Sequence, residues 1–239
     1  MPDSLFLSLV LAAMTSSACP PILQNAARLI LVTAPTMDAV AGELRLFERD
    51  KPQLPWRLAH AAEPTVLGLK GMGWGGGFAG LARSGEPIKS EGDDRTPAGI
   101  FSAGRPFGFE SSGPPGYLQI RPETVCVDDP SSPAYGTIAS RASVGGKTHA
   151  EQMRSVSLYR RGLVVDYPSA GLSKSGSCIF IHVWRSRLKG TAGCIALPEP
   201  RVAALQRFAE PGAVIAVAPA AALDRFGACL PPARDSVAK

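Results

Sequence analysis

The most regular apolar patterning lies late in the chain. Gly162 to Tyr167 (GLVVDY) and Cys178 to Trp184 (CIFIHVW) are rich in β-branched and aromatic residues, and each predicts a strand. Alternation along the second puts Cys178, Phe180, His182 and Trp184 on one face and Ile179, Ile181 and Val183 on the other. The isoleucine–valine face reads as core. The opposite face mixes aromatic and polar groups, as suits the floor of a pocket. Arg28 to Ala34, Glu43 to Arg49, Pro64 to Lys70, Tyr117 to Ile120, Thr124 to Asp129 and Ala213 to Ala218 predict further strands. Gly71 to Gly80 (GMGWGGGFAG) is too glycine-rich for a regular element and predicts a loop or a bent edge.

One helix is predicted, within PEPRVAALQRFAE. Prolines stand at its start, where a missing N–H costs little, and Glu199 occupies the first turn. Val202, Leu205, Phe208 and Ala209 share one face, and Pro211-Gly212 ends it. About nine strands with one or two helices describe a mainly β domain over residues 28–219. Residues 220–239 read as a loose tail.

Composition changes this picture little. A chain of 239 residues buries roughly 70% of its unfolded surface without a disulfide scaffold. The 25 glycines and 22 prolines suit short strands and turns. The net charge of +5 favours an anionic neighbourhood. Basic residues gather only at Arg160-Arg161 and between Arg185 and Lys189, without interleaved aromatics, so no nucleic-acid partner is expected.

Leu5 to Met14 is apolar apart from Ser8, too short to span a bilayer and the right length for a signal-peptide core. Residues 1–18 are therefore read as a signal peptide, although Asp3 replaces the usual basic flank. Cys19 then stands where a lipid-modified cysteine could. No later stretch predicts a membrane span. Five cysteines, Cys19, Cys126, Cys178, Cys194 and Cys229, leave at least one thiol free. Cys126 and Cys178 both fall in predicted strands and could pair in an oxidising compartment.

The chemistry concentrates at IFIHVWRSRLKGTAGCIAL, Ile179 to Leu197. Metal binding by Cys178, His182 and Cys194 is set aside. Positions four apart on a strand are roughly 13 Å apart, too far for zinc bonds of about 2.1–2.3 Å. Catalysis fits better. Cys194 follows small residues that let the chain turn sharply, which predicts an exposed thiol with the N–H groups of Gly193 and Cys194 placed for an oxyanion. A free thiol is only a few per cent thiolate at pH 7, and an imidazolium partner raises that fraction roughly thirtyfold. His182 is the partner nearest in sequence. A buried cysteine beside a glycine and a structural histidine remain the alternative.

His182, a basic connection and GTAGCIAL resemble the L,D-transpeptidase catalytic domain of the YkuD/ErfK type, whose signature is a histidine, a variable loop and Ser/Thr-x-Gly-Cys. A second segment, IKSEGDDRTPAGIF, resembles that family's Lys-x-Gly-Asp-x-x-Thr-Pro-x-Gly-x-Phe motif through Lys89, Asp93, Thr96, Pro97, Gly99 and Phe101. Its local reading is a turn at Pro97 and Gly99. The resemblance spans roughly Ala34 to Val217.

It implies a β-sandwich-like fold of mixed sheets and a cysteine nucleophile, Cys194, attacking a peptidoglycan stem peptide with His182 as base. Gly193 and Thr191 would serve the oxyanion or the substrate. Ala192 and Ala196 stand where many members carry polar or basic groups, and Arg185 or Arg187 would supply that charge. Asp166 and Tyr167 would line the cleft or serve the fold. The expected protein is an exported, periplasmic or cell-surface bacterial enzyme, monomeric, with no cofactor. An L,D-carboxypeptidase on the same stems and a non-catalytic wall-binding module are the alternatives.

Overall fold

The computed structural model describes residues 19–169, 174–209, 211–227 and 229–232. The predicted signal segment and residues 233–239 lie outside them. The strands are β1 (Arg28–Ala34), β2 (Ala41–Glu48), β3 (Arg57–Val66), β4 (Met72–Trp74), β5 (Thr96–Gly108), β6 (Leu118–Gln119), β7 (Thr124–Val127), β8 (Ile138–Ser140), β9 (Ala150–Gln152), β10 (Arg161–Asp166), β11 (Phe180–Val183), β12 (Ile195–Leu197) and β13 (Val214–Pro219). Two one-turn helices, α1 (Pro21–Gln24) and α2 (Arg141–Val144), accompany the predicted α3 (Glu199–Phe208). The chain is mainly β with mixed pairing, as expected.

Hydrogen bonding runs β10-β11-β12-β3-β2-β1-β13-β5, and β5 pairs again with β10. These eight strands form a closed ring, with β4 and β6 attached to β5. β1–β13 and β11–β12 are parallel. The larger core fills this ring with Ile30, Val32, Ile181, Ile195, Ile215 and Val217, each at most 1% exposed. A separate three-stranded sheet, β8-β7-β9, lies outside it and, with the short 3₁₀ turns Met153–Ser155 and Ser157–Arg160, forms a cap.

Three expectations change. The turn read at Thr96 to Phe101 is the start of the longest strand, β5. Its residues serve different neighbours in succession: β4 at Thr96 to Ala98, β13 at Gly99 to Ser102, and β10 from Ser102 onward. Proline and glycine are tolerated where pairing changes hands. A Cβ on Gly99 would lie 2.6 Å from the Phe78 ring, so close packing selects the glycine.

Cys178 falls outside β11, with φ at +53°, so alternation does not carry the His182 face back to it.

The described part of the tail is also docked rather than loose. Ala222, Leu223 and Phe226 are buried, and Phe226 packs on Trp74 and Phe78 at 5.8 and 5.6 Å between ring centroids. Arg225 holds Glu86 through two contacts of 2.6 and 2.9 Å. Cys229 is bridged to Cys19. The sulfur at which lipidation was considered is thus already bonded.

Candidate active site

Strand pairing brings His182 and Cys194 to one place. β11 and β12 run parallel with Ile181 opposite Ile195 and His182 opposite Ala196. Cys194 directly precedes β12 and falls beside Phe180. His182 and Cys194 therefore share a face as diagonal neighbours, roughly 8 Å apart at Cα for ordinary strand spacing and rise. Their common face looks away from the ring core and towards the cap.

The turn before Cys194 is built by two threonines. Thr191 Oγ1 donates to the Cys194 carbonyl at 2.6 Å and accepts from Gly193 N–H at 3.1 Å. Thr96 Oγ1 donates to the same carbonyl at 3.1 Å and accepts from Gly68 N–H at 2.9 Å. Gly193 has φ at +141°, and a Cβ there would sit 3.0 Å from the Arg95 carbonyl oxygen, so glycine is required.

The Gly193 N–H expected to face an oxyanion is thus directed at Thr191. Thr96 was in the recognised motif but not among the predicted site residues. Its role could be found only by folding β5 against β12.

The rest of that motif forms an ion pair of its own. Lys89 is 6% exposed and pairs with Asp93 at 2.5 Å, and Asp93 also accepts from the Ser90 and Arg95 N–H groups.

The thiol is buried rather than exposed, at 9%. It sits in a second apolar cluster with Phe107, Ile120, Cys126, Met153, Tyr159 and Phe180. The glycine-rich turn does free its backbone, but the cap covers the sulfur. Cys194 Sγ accepts from Phe180 N–H at 3.4 Å and donates to the Cys178 carbonyl at 3.5 Å. It is the free cysteine among the described residues. Cys126 and Cys178 form a disulfide that ties β7 of the cap to the residue accepting the thiol proton.

His182 is 5% exposed. Its Nδ1 lies 2.8 Å from the Val183 carbonyl oxygen, an acceptor, so Nδ1 carries the proton and Nε2 keeps the lone pair. No hydrogen bond joins the ring to the sulfur. Tyr159 meets the imidazole edge-on at 5.3 Å and donates its hydroxyl to Glu151 Oε2 of β9 at 2.9 Å.

Burial governs the charges. It lowers the His182 imidazole to about 4, only partly offset by the Val183 carbonyl. It raises the Cys194 thiol to about 12, only partly offset by the Phe180 N–H. Both groups are neutral at pH 7 while the cap is closed. Moving the proton from sulfur to nitrogen would then cost on the order of 10 kcal/mol before the ions attract one another. An ion pair in the resting site, as the spacing suggested, is therefore disfavoured.

This makes a stability prediction. Unfolded His182 binds a proton near pH 6.5, whereas the folded ring resists it to about pH 4. Its stabilising contribution is complete above pH 6.5 and is lost as pH falls to 4, about 3 kcal/mol in all. Denaturant melts from pH 7 to 4 should show His182→Gln losing less stability than the parent over that window. Equal slopes would contradict it.

A cleft of about 630 Å³ opens on the Phe180 side of the site, and neither Cys194 nor His182 lines it. Cys178 and Phe180, which hold Sγ, line it together with Gly104, Ile138, Val164 and Asp166. Arg185 is exposed on the connection from β11 to β12 and does not line this cleft. Arg187 and Trp184 line a different groove, beside Thr33 and Ala41. Among the described residues no three His, Cys, Asp or Glu side chains gather as metal ligands, and no helix is long and apolar enough to cross a membrane.

Searches of curated proteins and of solved structures returned no match. A model of the L,D-transpeptidase catalytic domain, the YkuD family, matches residues 41–217. That span contains the closed ring from β2 onward, the cap, both recognised motifs, His182 and Cys194, and the chain belongs to the L,D-transpeptidase catalytic domain family.

Proposed function

We propose that the protein is a cysteine-dependent acyltransferase acting on peptidoglycan stem peptides, with Cys194 as nucleophile and His182 as base. One observation carries this reading: in a chain of this family, the free described cysteine shares a sheet face with a histidine whose Nδ1 is held by a backbone carbonyl.

With Nδ1 so held, Nε2 takes the thiol proton. Sulfur attacks the carbonyl preceding the terminal D-residue. The tetrahedral intermediate collapses as His182 returns the proton to the departing amine. A thioester remains on Cys194, and an amine of a second stem attacks it to form a cross-link, while water in its place would give carboxypeptidase outcome. The closed cap opposes the first step through burial, so entry of substrate must shift the cap and rehydrate the pair before the proton moves.

Two disulfides, Cys19–Cys229 and Cys126–Cys178, support export to an oxidising compartment. Treatment with meropenem should add one acyl group, located on Cys194 by peptide mass mapping. Protein left unmodified at Cys194 would overturn the assignment of the nucleophile. Muropeptide profiles separate the two outcomes: new cross-links between third residues mark transfer, and shortened stems alone mark hydrolysis.

A further inference from the structure

The connection from β11 to β12 carries a surface that the chemistry above does not use. Trp184 to Gly190 reads WRSRLKG. Leu188 at its tip is 91% exposed, while the other exposed large apolar side chains among the described residues reach at most 56%. Arg185, Arg187 and Lys189 flank it, all exposed, and none has a carboxylate partner among the described residues. The acids of the adjoining segments are already matched: Asp38 with Arg95 at 2.9 Å, Glu43 with Arg45 at 3.0 Å and Asp94 with Lys70 at 3.3 Å. The three cations of the loop are therefore uncompensated.

The loop is held in place at its tip and its base. Ser186 closes a turn: its hydroxyl accepts from Leu188 N–H at 3.3 Å, and its carbonyl accepts from Lys189 N–H at 3.4 Å. Leu69 N–H donates to the Thr191 carbonyl at 2.8 Å, and a Cβ on Gly190 would lie 2.9 Å from Leu69 Cα. These contacts seat the loop base against the connection from β3 to β4 and bring Leu69, itself 56% exposed, beside it. Trp184 is partly buried at the start of the loop and lines a groove with Arg187 and Leu188.

A leucine this exposed adds almost nothing to the fold, because water surrounds it in the folded and unfolded chain alike. One apolar tip among cations is too small for a stable protein interface, which takes about 800 Å² from each partner. It matches a bilayer surface. There the cations meet anionic headgroups, the leucine enters the acyl boundary, and a tryptophan is favoured at headgroup level. A soluble polyanion would use the cations alone and leave the leucine in water. We propose that the Trp184–Gly190 loop docks the protein on an anionic phospholipid membrane. Docking requires neither Cys194 nor His182, and no residue of the loop lines the cleft on the Phe180 side.

Co-sedimentation of the full chain with lipid vesicles at low salt tests this. Each cation near an anionic surface is worth roughly fivefold in affinity, so vesicles rich in phosphatidylglycerol should bind about 100-fold better than phosphatidylcholine alone. Arg185→Gln, Arg187→Gln and Lys189→Gln together should remove that preference. Leu188→Asn keeps every charge, yet should weaken binding to the anionic vesicles about tenfold with an unchanged melting temperature. Parent and variants share residues 1–18, so differences between them report the loop. Equal binding to both lipids, or a triple variant that keeps the preference, would overturn the proposal. Vesicle binding indifferent to Leu188→Asn, with the triple variant losing retention on heparin, would overturn membrane docking in favour of a soluble polyanion.

Discussion

Cys194→Ala is expected to reduce turnover of a stem-peptide donor by about 10⁴-fold or more, and His182→Ala to do nearly the same. Nucleophile and base act as one unit, so the double variant should be little worse than either single one. The Cys194 change removes one sulfur from an apolar cluster and leaves the Thr191 and Thr96 bonds, which hold only the residue 194 carbonyl. The fold should survive it. His182→Ala loses the bond to the Val183 carbonyl and a ring packed against Tyr159, so its melting temperature must be measured beside its rate. Single-turnover release of D-alanine, followed by mass spectrometry for the thioester, separates the two roles. The alanine at 194 should form no acyl-enzyme at all, and the alanine at 182 should form it slowly. Full acylation at normal rate by either variant would remove its residue from the reaction.

Opening the Cys126–Cys178 bridge should have the second largest effect, and on two quantities at once. The bridge closes a sequence separation of 52 residues. Chain-entropy reasoning assigns such a loop about 4 kcal/mol, and measured values commonly reach 2–4 kcal/mol. A variant with serine at both positions should lose stability of that order in denaturant melts. It should also release the cap from the residue whose carbonyl holds the thiol. In that variant Cys194 is the only unbridged cysteine, so iodoacetamide labelling reads its exposure directly. Labelling at pH 8 should accelerate at least tenfold relative to the parent, in which burial holds the thiol near 12. Unchanged labelling with the expected loss of stability would show that the bridge strengthens the fold without controlling access to the sulfur.

Much of the ring was legible in the chain. β1 is as predicted, Arg28–Ala34, and α3 lies within the predicted helix. Their signals are local: an unbroken apolar run flanked by polar residues, and a 3.6-residue apolar face between proline stops. β5 was missed because Pro97 and Gly99 read as turn residues. No window of sequence reveals that this strand exchanges partners along its length. Gln206 shows the same limit. Its side chain donates to the Phe107 and Gly162 carbonyls at 2.8 and 2.7 Å, contacts that helical periodicity does not report.

By itself, the amino-acid order determined the strand and helix pattern, the mainly β class, and the pairing of one histidine with one cysteine as the place where chemistry concentrates. These depend on neighbours within a few positions. Tertiary structure alone decided that the thiol is covered, that both groups rest uncharged, that Thr96 holds the Cys194 backbone, and that Asp166 faces the cleft. Each of those depends on water excluded, or on contacts made, by residues tens of positions away, such as Cys126 against Cys178 and Thr96 against Cys194. Periodicity reports which way a side chain points, but the dielectric around it is set only when the rest of the chain packs over it.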